Sequence, residues 1–355
     1  MVDESAYGPK QTSAGLVYCT VESAMLALKP RLGAVMKRRE FITVLGGAVA
    51  WSLAAHSQHT TPRRIGFLRV GPPPPSYIGG FREGLQEQGL VEGRDFVIEY
   101  ALAQSAVQIP ETAAQLARAK PDIILAAGTP SVFPARDAAG HIPVVFVATF
   151  DPVATGLVPS LARPGGNVTG LTTISSDLIA KRLELIKEFF PAFTKVAILV
   201  RDSSPTTPGY IQQSRFAAEK LGFELQVLTE HQPADLEKLL VAARSLDALV
   251  VGDDTEFTTF RTKIAELAIS NKVPTIHGLR EMVDAGGLIA FGASFHDLYR
   301  RAASQVKKIL QGVKPGDLPI EQPAKFELVV NVRTAQALGL KLPPMLVARA
   351  DEVIE

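Results

Sequence analysis

Asp122-Ile123-Ile124-Leu125-Ala126-Ala127-Gly128-Thr129-Pro130 decides the fold. Its apolar residues follow one another without polar alternation, and a glycine and a proline stop them. A strand with one wet face alternates. A short continuous run fits a parallel sheet covered on both faces. The design returns at Asp247-Ala248-Leu249-Val250-Val251-Gly252-Asp253-Asp254.

Outward from these two stretches, apolar runs alternate with helical patterns. Arg64–Val70 reads as a first strand ended by Gly71 and Pro72 to Pro75, followed by a helix over Tyr77–Gln88. Strands are predicted at Asp95–Tyr100, Asp122–Ala127 and Pro143–Ala148, with a helix over Pro110–Ala119. The pattern then restarts. Helices over Asp177–Phe189, Gly209–Leu221, Ala234–Ala243, Glu256–Ser270 and Asp297–Leu310 are spaced by strands at Lys195–Val200, Glu224–Leu228, Asp247–Gly252, Pro274–His277 and Leu288–Gly292. Two successive βαβ series mean an α/β protein of two doubly wound parallel-sheet lobes.

The N-terminal segment reads differently. Met36-Lys37-Arg38-Arg39-Glu40-Phe41-Ile42 precedes a short apolar run and the small-residue exit Leu53-Ala54-Ala55, so residues 36–58 are expected to be an export signal peptide. The paired arginines point to the twin-arginine route, with general secretion as the alternative. Residues 1–35 are expected to be an extension from a start codon placed too far upstream. The single cysteine, Cys19, falls there, so the mature chain is expected to carry no thiol chemistry, disulfide or lipid-anchoring cysteine. After signal removal no run reaches membrane length.

Hydrophobic content of 46% supports packed cores. A net charge of +1 and no basic cluster on a helix face give no case for nucleic acid. No Gly-x-Ser-x-Gly elbow, His-Glu-x-x-His pair or P-loop occurs, so no catalytic residue, metal or cofactor is expected.

In open parallel sheets ligands bind beyond the carboxyl ends of the strands. Those positions hold Gly71, Thr129 and Ser131, Phe150 and Asp151, Ser203, Asp253 and Asp254, His277, Ser294 and Phe295. Each has a structural alternative. Thr129 or Ser131 could cap the helix that follows Pro130, and Asp151 before Pro152 could form a turn. One of Asp253 and Asp254 could cap a helix and leave the other free. His277 could be a packed strand-end histidine, and Phe150 and Phe295 could pack a hinge.

From Ile65 to about Pro319 the chain resembles the ABC-transporter substrate-binding proteins that include tryptophan- and tyrosine-type binders. The resemblance rests on Phe81-Arg82-Glu83-Gly84-Leu85 with Gly89-Leu90-Val91-Glu92-Gly93, Thr129-Pro130, Asp151-Pro152-Val153, Pro164-Gly165-Gly166-Asn167-Val168-Thr169-Gly170, Asp253-Asp254-Thr255 and Gln311–Pro319. The tails Phe326–Asn331 and Ala348–Glu355 are similar to its proteobacterial branch. The resemblance implies a type I periplasmic-binding-protein fold whose lobes are joined by a hinge of three crossings, near Thr172, Phe291 and Pro319. The N-terminal lobe would then be 62–172 with 291–318, and the C-terminal lobe 173–290 with 319–355. It implies a monomeric periplasmic receptor that encloses a small polar or amino-acid-like ligand and passes it to an ABC permease in the inner membrane. A sensor docking on a membrane kinase and an exported enzyme on the same scaffold are the alternatives. One departure stands out: amino-acid-binding members carry a Glu-x-Asn-type element after the first strand of the second lobe, and here that place reads Asp202-Ser203-Ser204.

Overall fold

The structure, a computed structural model, describes residues 61–173, 175–204 and 206–355. The expected extension and export signal lie outside the described residues.

The first sheet is built from β1 (Arg63–Val70), β2 (Phe96–Ala103), β3 (Ile123–Ala127), β4 (Val144–Thr149) and β5 (Val168–Thr172). Its order is β2-β1-β3-β4-β5, and every pairing is parallel. Helices α1 (Pro75–Glu87), α2 (Ile109–Arg118) and α3 (Thr129–Ala139) connect the first four strands. The run that decides the fold behaves as its composition requires. Ile123, Leu125 and Ala127 enter the core on one face, with Phe81 and Leu85 of α1. Ile124 and Ala126 enter the core on the other, with Ala113 of α2 and Val132 of α3. Side chains alternate between faces, so a strand covered twice must be apolar throughout.

The second half begins with α4 (Ser175–Phe189) and continues through β6 (Lys195–Arg201), α5 (Thr207–Leu221), β7 (Glu224–Glu230), α6 (Asp235–Ala242) and β8 (Ala248–Val251). Then come α7 (Thr255–Thr259), α8 (Arg261–Ser270), β9 (Thr275–His277), α9 (Arg280–Asp284) and β10 (Ile289–Ala293). The helix expected over Glu256–Ser270 is two helices, because Phe260 leaves helical geometry at φ −94°, ψ 13°. α10 (Phe295–Leu310) follows, and β11 (Phe326–Asn331), α11 (Val332–Leu338), α12 (Pro344–Arg349) and β12 (Glu352–Ile354) complete the chain. The second sheet has the order β12-β11-β10-β9-β8-β6-β7. It is parallel except where β11 runs against β10.

Helix α10 leaves the second sheet and packs on the first. Its Leu298, Tyr299, Ala302, Ala303 and Val306 are buried in the same core as Phe81 and Leu85. Two glycines of α1 allow this approach. A Cβ at Gly84 would lie 2.0 Å from the Arg300 carbonyl oxygen, and one at Gly80 2.4 Å from that of His296.

The chain therefore crosses between sheets three times. It leaves the first after Thr172 and returns at Ser294, beyond the last β10 pairing of Ala293 with Phe326. It leaves again after Glu321, which bridges Leu171 on the first sheet. The resemblance implies the latter two crossings near 291 and 319; the β10 pairing runs on to Ala293, and the bridge to Leu171 is made by Glu321.

Candidate functional site

The carboxyl ends of both sheets face one cleft. The space unfilled by atoms there is about 540 Å³, its solvent-facing mouth included. The first lobe supplies Arg69 from the end of β1, Gly128-Thr129-Pro130 after β3, Phe150 after β4, and Tyr77, Phe295 and Tyr299 from α1 and α10. The second supplies Ser204, Thr206, Asp253, Asp254, Thr255 and Thr258.

The aromatic wall is continuous. Tyr77 stacks on Tyr299 with ring centroids 4.8 Å apart and meets Phe295 at 5.2 Å. Arg69 lies over the Tyr77 ring at 5.8 Å. Arg69 is 2% exposed, and burial lowers its pKa from the ordinary arginine value. The Tyr77 hydroxyl is buried without a hydrogen-bond partner, and burial raises its pKa well above 10.0.

The carboxylates of the second lobe are engaged, except that Asp253 Oδ1 is buried without a hydrogen-bond partner. Asp253 Oδ2 accepts from Arg182 Nη2 at 2.8 Å, and the fully buried Arg182 also donates from Nε to the Phe291 carbonyl at 2.9 Å. Burial pulls the Arg182 pKa down, but Asp253 and Tyr210 outweigh it, so the net direction is upward. Gly278 makes room for this pair: a Cβ there would sit 2.0 Å from Asp253 Oδ1 and 2.2 Å from Arg182 Nη2. Asp254 is the N-cap of α7 and accepts from the Glu256 amide at 2.8 Å. Behind it Arg201 pairs with Glu230 at 3.0 Å and with Glu256, and approaches Asp254 at 3.6 Å. Desolvation raises the pKa of both Asp254 and Glu230.

The expected site residues therefore divide. Thr129, Phe150, Asp253, Asp254 and Phe295 line the cleft. The Thr129 hydroxyl does not cap α3; it accepts from the Phe150 amide at 3.0 Å and ties two strand-end loops together. Ser203 lies beside the cleft, where its hydroxyl accepts from Arg201 Nη2 at 2.9 Å. The other five have structural duties. Gly71 lies on a seam between the lobes, with Thr259 Oγ1 only 2.7 Å from where its Cβ would be. Ser131 is buried in α3 and donates to the Ala127 carbonyl at 3.1 Å. Asp151 accepts from the amides of Val153 and Ala154 and forms a turn. Ser294 caps α10 through the Asp297 amide. His277 is buried behind the cleft with Nε2 2.9 Å from Thr275 Oγ1.

Sequence reasoning missed Arg69, Tyr77, Arg182, Arg201 and Tyr299. The arginines left a signal. Arg69 interrupts an apolar strand run, and Arg182 falls on the apolar face of α4 with Ile179, Leu183 and Ile186. A cation at such a place must have a buried partner.

The lobes also bond across the cleft. Ser76 donates to Glu281 at 2.7 Å, and the Ala106 amide donates to Glu256 at 2.8 Å. Gly128, at φ +79°, meets Thr255, whose Oγ1 is 2.3 Å from where a Cβ would lie.

The chain is 28% identical over 264 residues to a tyrosine-binding protein of Clostridioides difficile (strain R20291), covering 74% of this chain and 76% of that protein. It superposes on the ABC domain solved in complex with L-Trp from Streptococcus pneumoniae with a TM-score of 0.75 at 25% identity, covering 83% of this chain and all of that one. The TM-score falls to 0.60, at the same identity, for the ligand-free, open form of a substrate binding protein with adhesive properties from Clostridium difficile, covering 82% of this chain and 99% of that one. The family model for ABC transporter substrate binding proteins matches residues 72–354, and the chain belongs to that family.

Proposed function

We propose that this chain is an extracytoplasmic receptor of an ABC importer that encloses a small, amino-acid-like ligand with an aromatic side chain and delivers it to a membrane permease. The observation that carries this reading is one cleft lined from both lobes, with an aromatic wall on one side and hydroxyl and carboxylate groups on the other. A ligand that touches both lobes stabilises the closed arrangement over the open one. The better match to the Trp-bound relative than to the open one supports a closed arrangement here. The tyrosine and tryptophan attached to relatives support an aromatic amino acid as cargo. Residues 36–58 serve as the export signal in this reading.

Mass spectrometry of small molecules released from the denatured protein, with calorimetry against L-tryptophan and L-tyrosine, tests the cargo. Scattering with and without saturating ligand tests closure. An unchanged scattering profile at saturation sinks the clamp. N-terminal sequencing of the exported form tests the cut near Ser57 or Gln58.

A further inference from the structure

Three arginines are buried at the cleft, and two of them have carboxylates. Arg182 holds Asp253, and Arg201 holds Glu230 and Glu256. Arg69 has none within ion-pair distance among the described residues. Its hydrogen bonds all leave from Nη1, to the carbonyls of Val70 at 2.7 Å, Gly71 at 3.1 Å and Pro72 at 2.8 Å. Glu281, whose charge acts on Arg69 from a distance, is occupied by Ser76. An unpaired buried guanidinium is costly, and the usual remedy is an anion.

The three carbonyls fix the guanidinium by one nitrogen and leave its Nε–Nη2 edge unused. That edge is the planar fork that matches a carboxylate. This chain uses it so elsewhere. Arg64 presents Nε and Nη2 to the two carboxylate oxygens of Glu99 at 2.6 and 2.8 Å, and Arg82 does the same to Glu92 at 2.7 and 3.0 Å. The Arg69 guanidinium lies 5.8 Å from the centre of the Tyr77 ring, the Tyr77 hydroxyl is also buried without a partner, and both residues line the cleft.

We infer that the Nε–Nη2 edge of Arg69, with the Tyr77 hydroxyl next to it, is the binding site for the carboxylate of the enclosed ligand. This rests on the receptor reading above and narrows it. The cargo is an aromatic carboxylate, anchored by its acid group to the first lobe. Asp253 Oδ2 is held by Arg182 and Asp254 caps α7, while Asp253 Oδ1 is buried without a hydrogen-bond partner, so an ammonium group, where the ligand has one, adds to the carboxylate anchor rather than replacing it.

Calorimetry with two matched sets of probes tests this: L-tryptophan, 3-(indol-3-yl)propionate and tryptamine, and the corresponding tyrosine series. In the wild type the two acids of a set should bind within about tenfold of each other, and the amine should bind about tenfold to hundredfold more weakly. Arg69→Gln should cost the acids about tenfold to hundredfold and leave the amine unchanged. Tyr77→Phe, which removes one hydroxyl and keeps the ring, should weaken the acids by up to about tenfold and guards against misfolding of the arginine variant. An amine that binds as tightly as its acid overturns the assignment. So does a Tyr77→Phe variant, or a folded Arg69→Gln variant, that binds the acids like the wild type. Failure of every probe at millimolar concentration overturns the aromatic carboxylate class. If the protein then releases a different cargo on denaturation, the receptor reading stands without the Arg69 assignment.

Discussion

The Ser76 hydroxyl of α1 donates to Glu281 of α9 at 2.7 Å, across the cleft between the two lobes. Burial raises the Glu281 pKa above its ordinary 4.5; the Ser76 bond and Arg280 act downward, and Asp284 acts upward. Arg69, Tyr77 and Tyr299 on the first lobe also feel its charge.

The sign of the pH effect follows. A carboxyl whose pKa is higher in the closed form binds a proton more tightly there. Where opening the cleft returns Glu281 to water, closure is penalised above the raised value, and the penalty disappears as pH falls toward 4.5. Ligand affinity is expected to rise as pH is lowered from neutrality. Glu281→Gln, which mimics the protonated group and still accepts from Ser76, should flatten that rise. Calorimetry across pH checks it; a variant with the parent slope assigns the effect elsewhere.

His277 works in the opposite direction, on stability. Burial and, less strongly, Arg182 lower its pKa from 6.5 to about 3, so the folded protein holds it neutral. The unfolded chain takes up a proton below 6.5 and the folded one does not. Stability is full above 6.5 and declines at up to about 1.4 kcal/mol per pH unit as pH falls through the window toward 3. Denaturant unfolding at neutral pH and at pH near 5 should show roughly 2 kcal/mol from this group. His277→Gln should remove that part. Equal slopes in variant and parent would falsify the role.

The sheets were legible because their strands are covered on both faces, which forces unbroken apolar runs such as Ile123–Ala127 and Ala248–Val251. The strand-end rule located Thr129, Phe150, Asp253 and Asp254 for the same reason: the end of a run is visible in one segment. What was not legible needs distant segments. Ser76 and Glu281 are 205 positions apart, and Arg182 and Asp253 are 71 apart. Tyr77, Phe295 and Tyr299 form one wall only because α10 crosses back to pack on α1. Strands β11 and β12 lie in a tail whose mixed composition carries no clear period.

Arg182 and Asp253 form a buried pair that connects α4 to the loop after β8. Removing one partner strands the other charge away from water. Arg182→Met is expected to cost about 3–5 kcal/mol of stability. Asp253→Asn leaves the guanidinium buried with its Phe291 and Tyr210 contacts and should cost less. The double variant Arg182→Met with Asp253→Asn should recover part of the loss. Thermal and denaturant unfolding of the three proteins checks this cycle; strict additivity would show that the pair is not coupled.

Gly128 separates closure from folding. It sits at φ +79°, a conformation unfavourable for residues with a Cβ, and it faces Thr255 of the opposite lobe. A Cβ would lie 2.3 Å from Thr255 Oγ1, which is a clash between lobes rather than within one. Gly128→Ala therefore carries a backbone penalty of about 1–2 kcal/mol in either state and a further one only when the lobes meet. Its unfolding midpoint should fall modestly. Its ligand affinity should fall by about tenfold or more, with scattering at saturation closer to the open form. Thr255→Ala in the same chain removes the atom that clashes and should restore much of the affinity without restoring the midpoint. If Gly128→Ala closes on ligand like the parent, the Gly128–Thr255 contact does not limit closure, and the seam must lie along Gly71 and Thr259 instead.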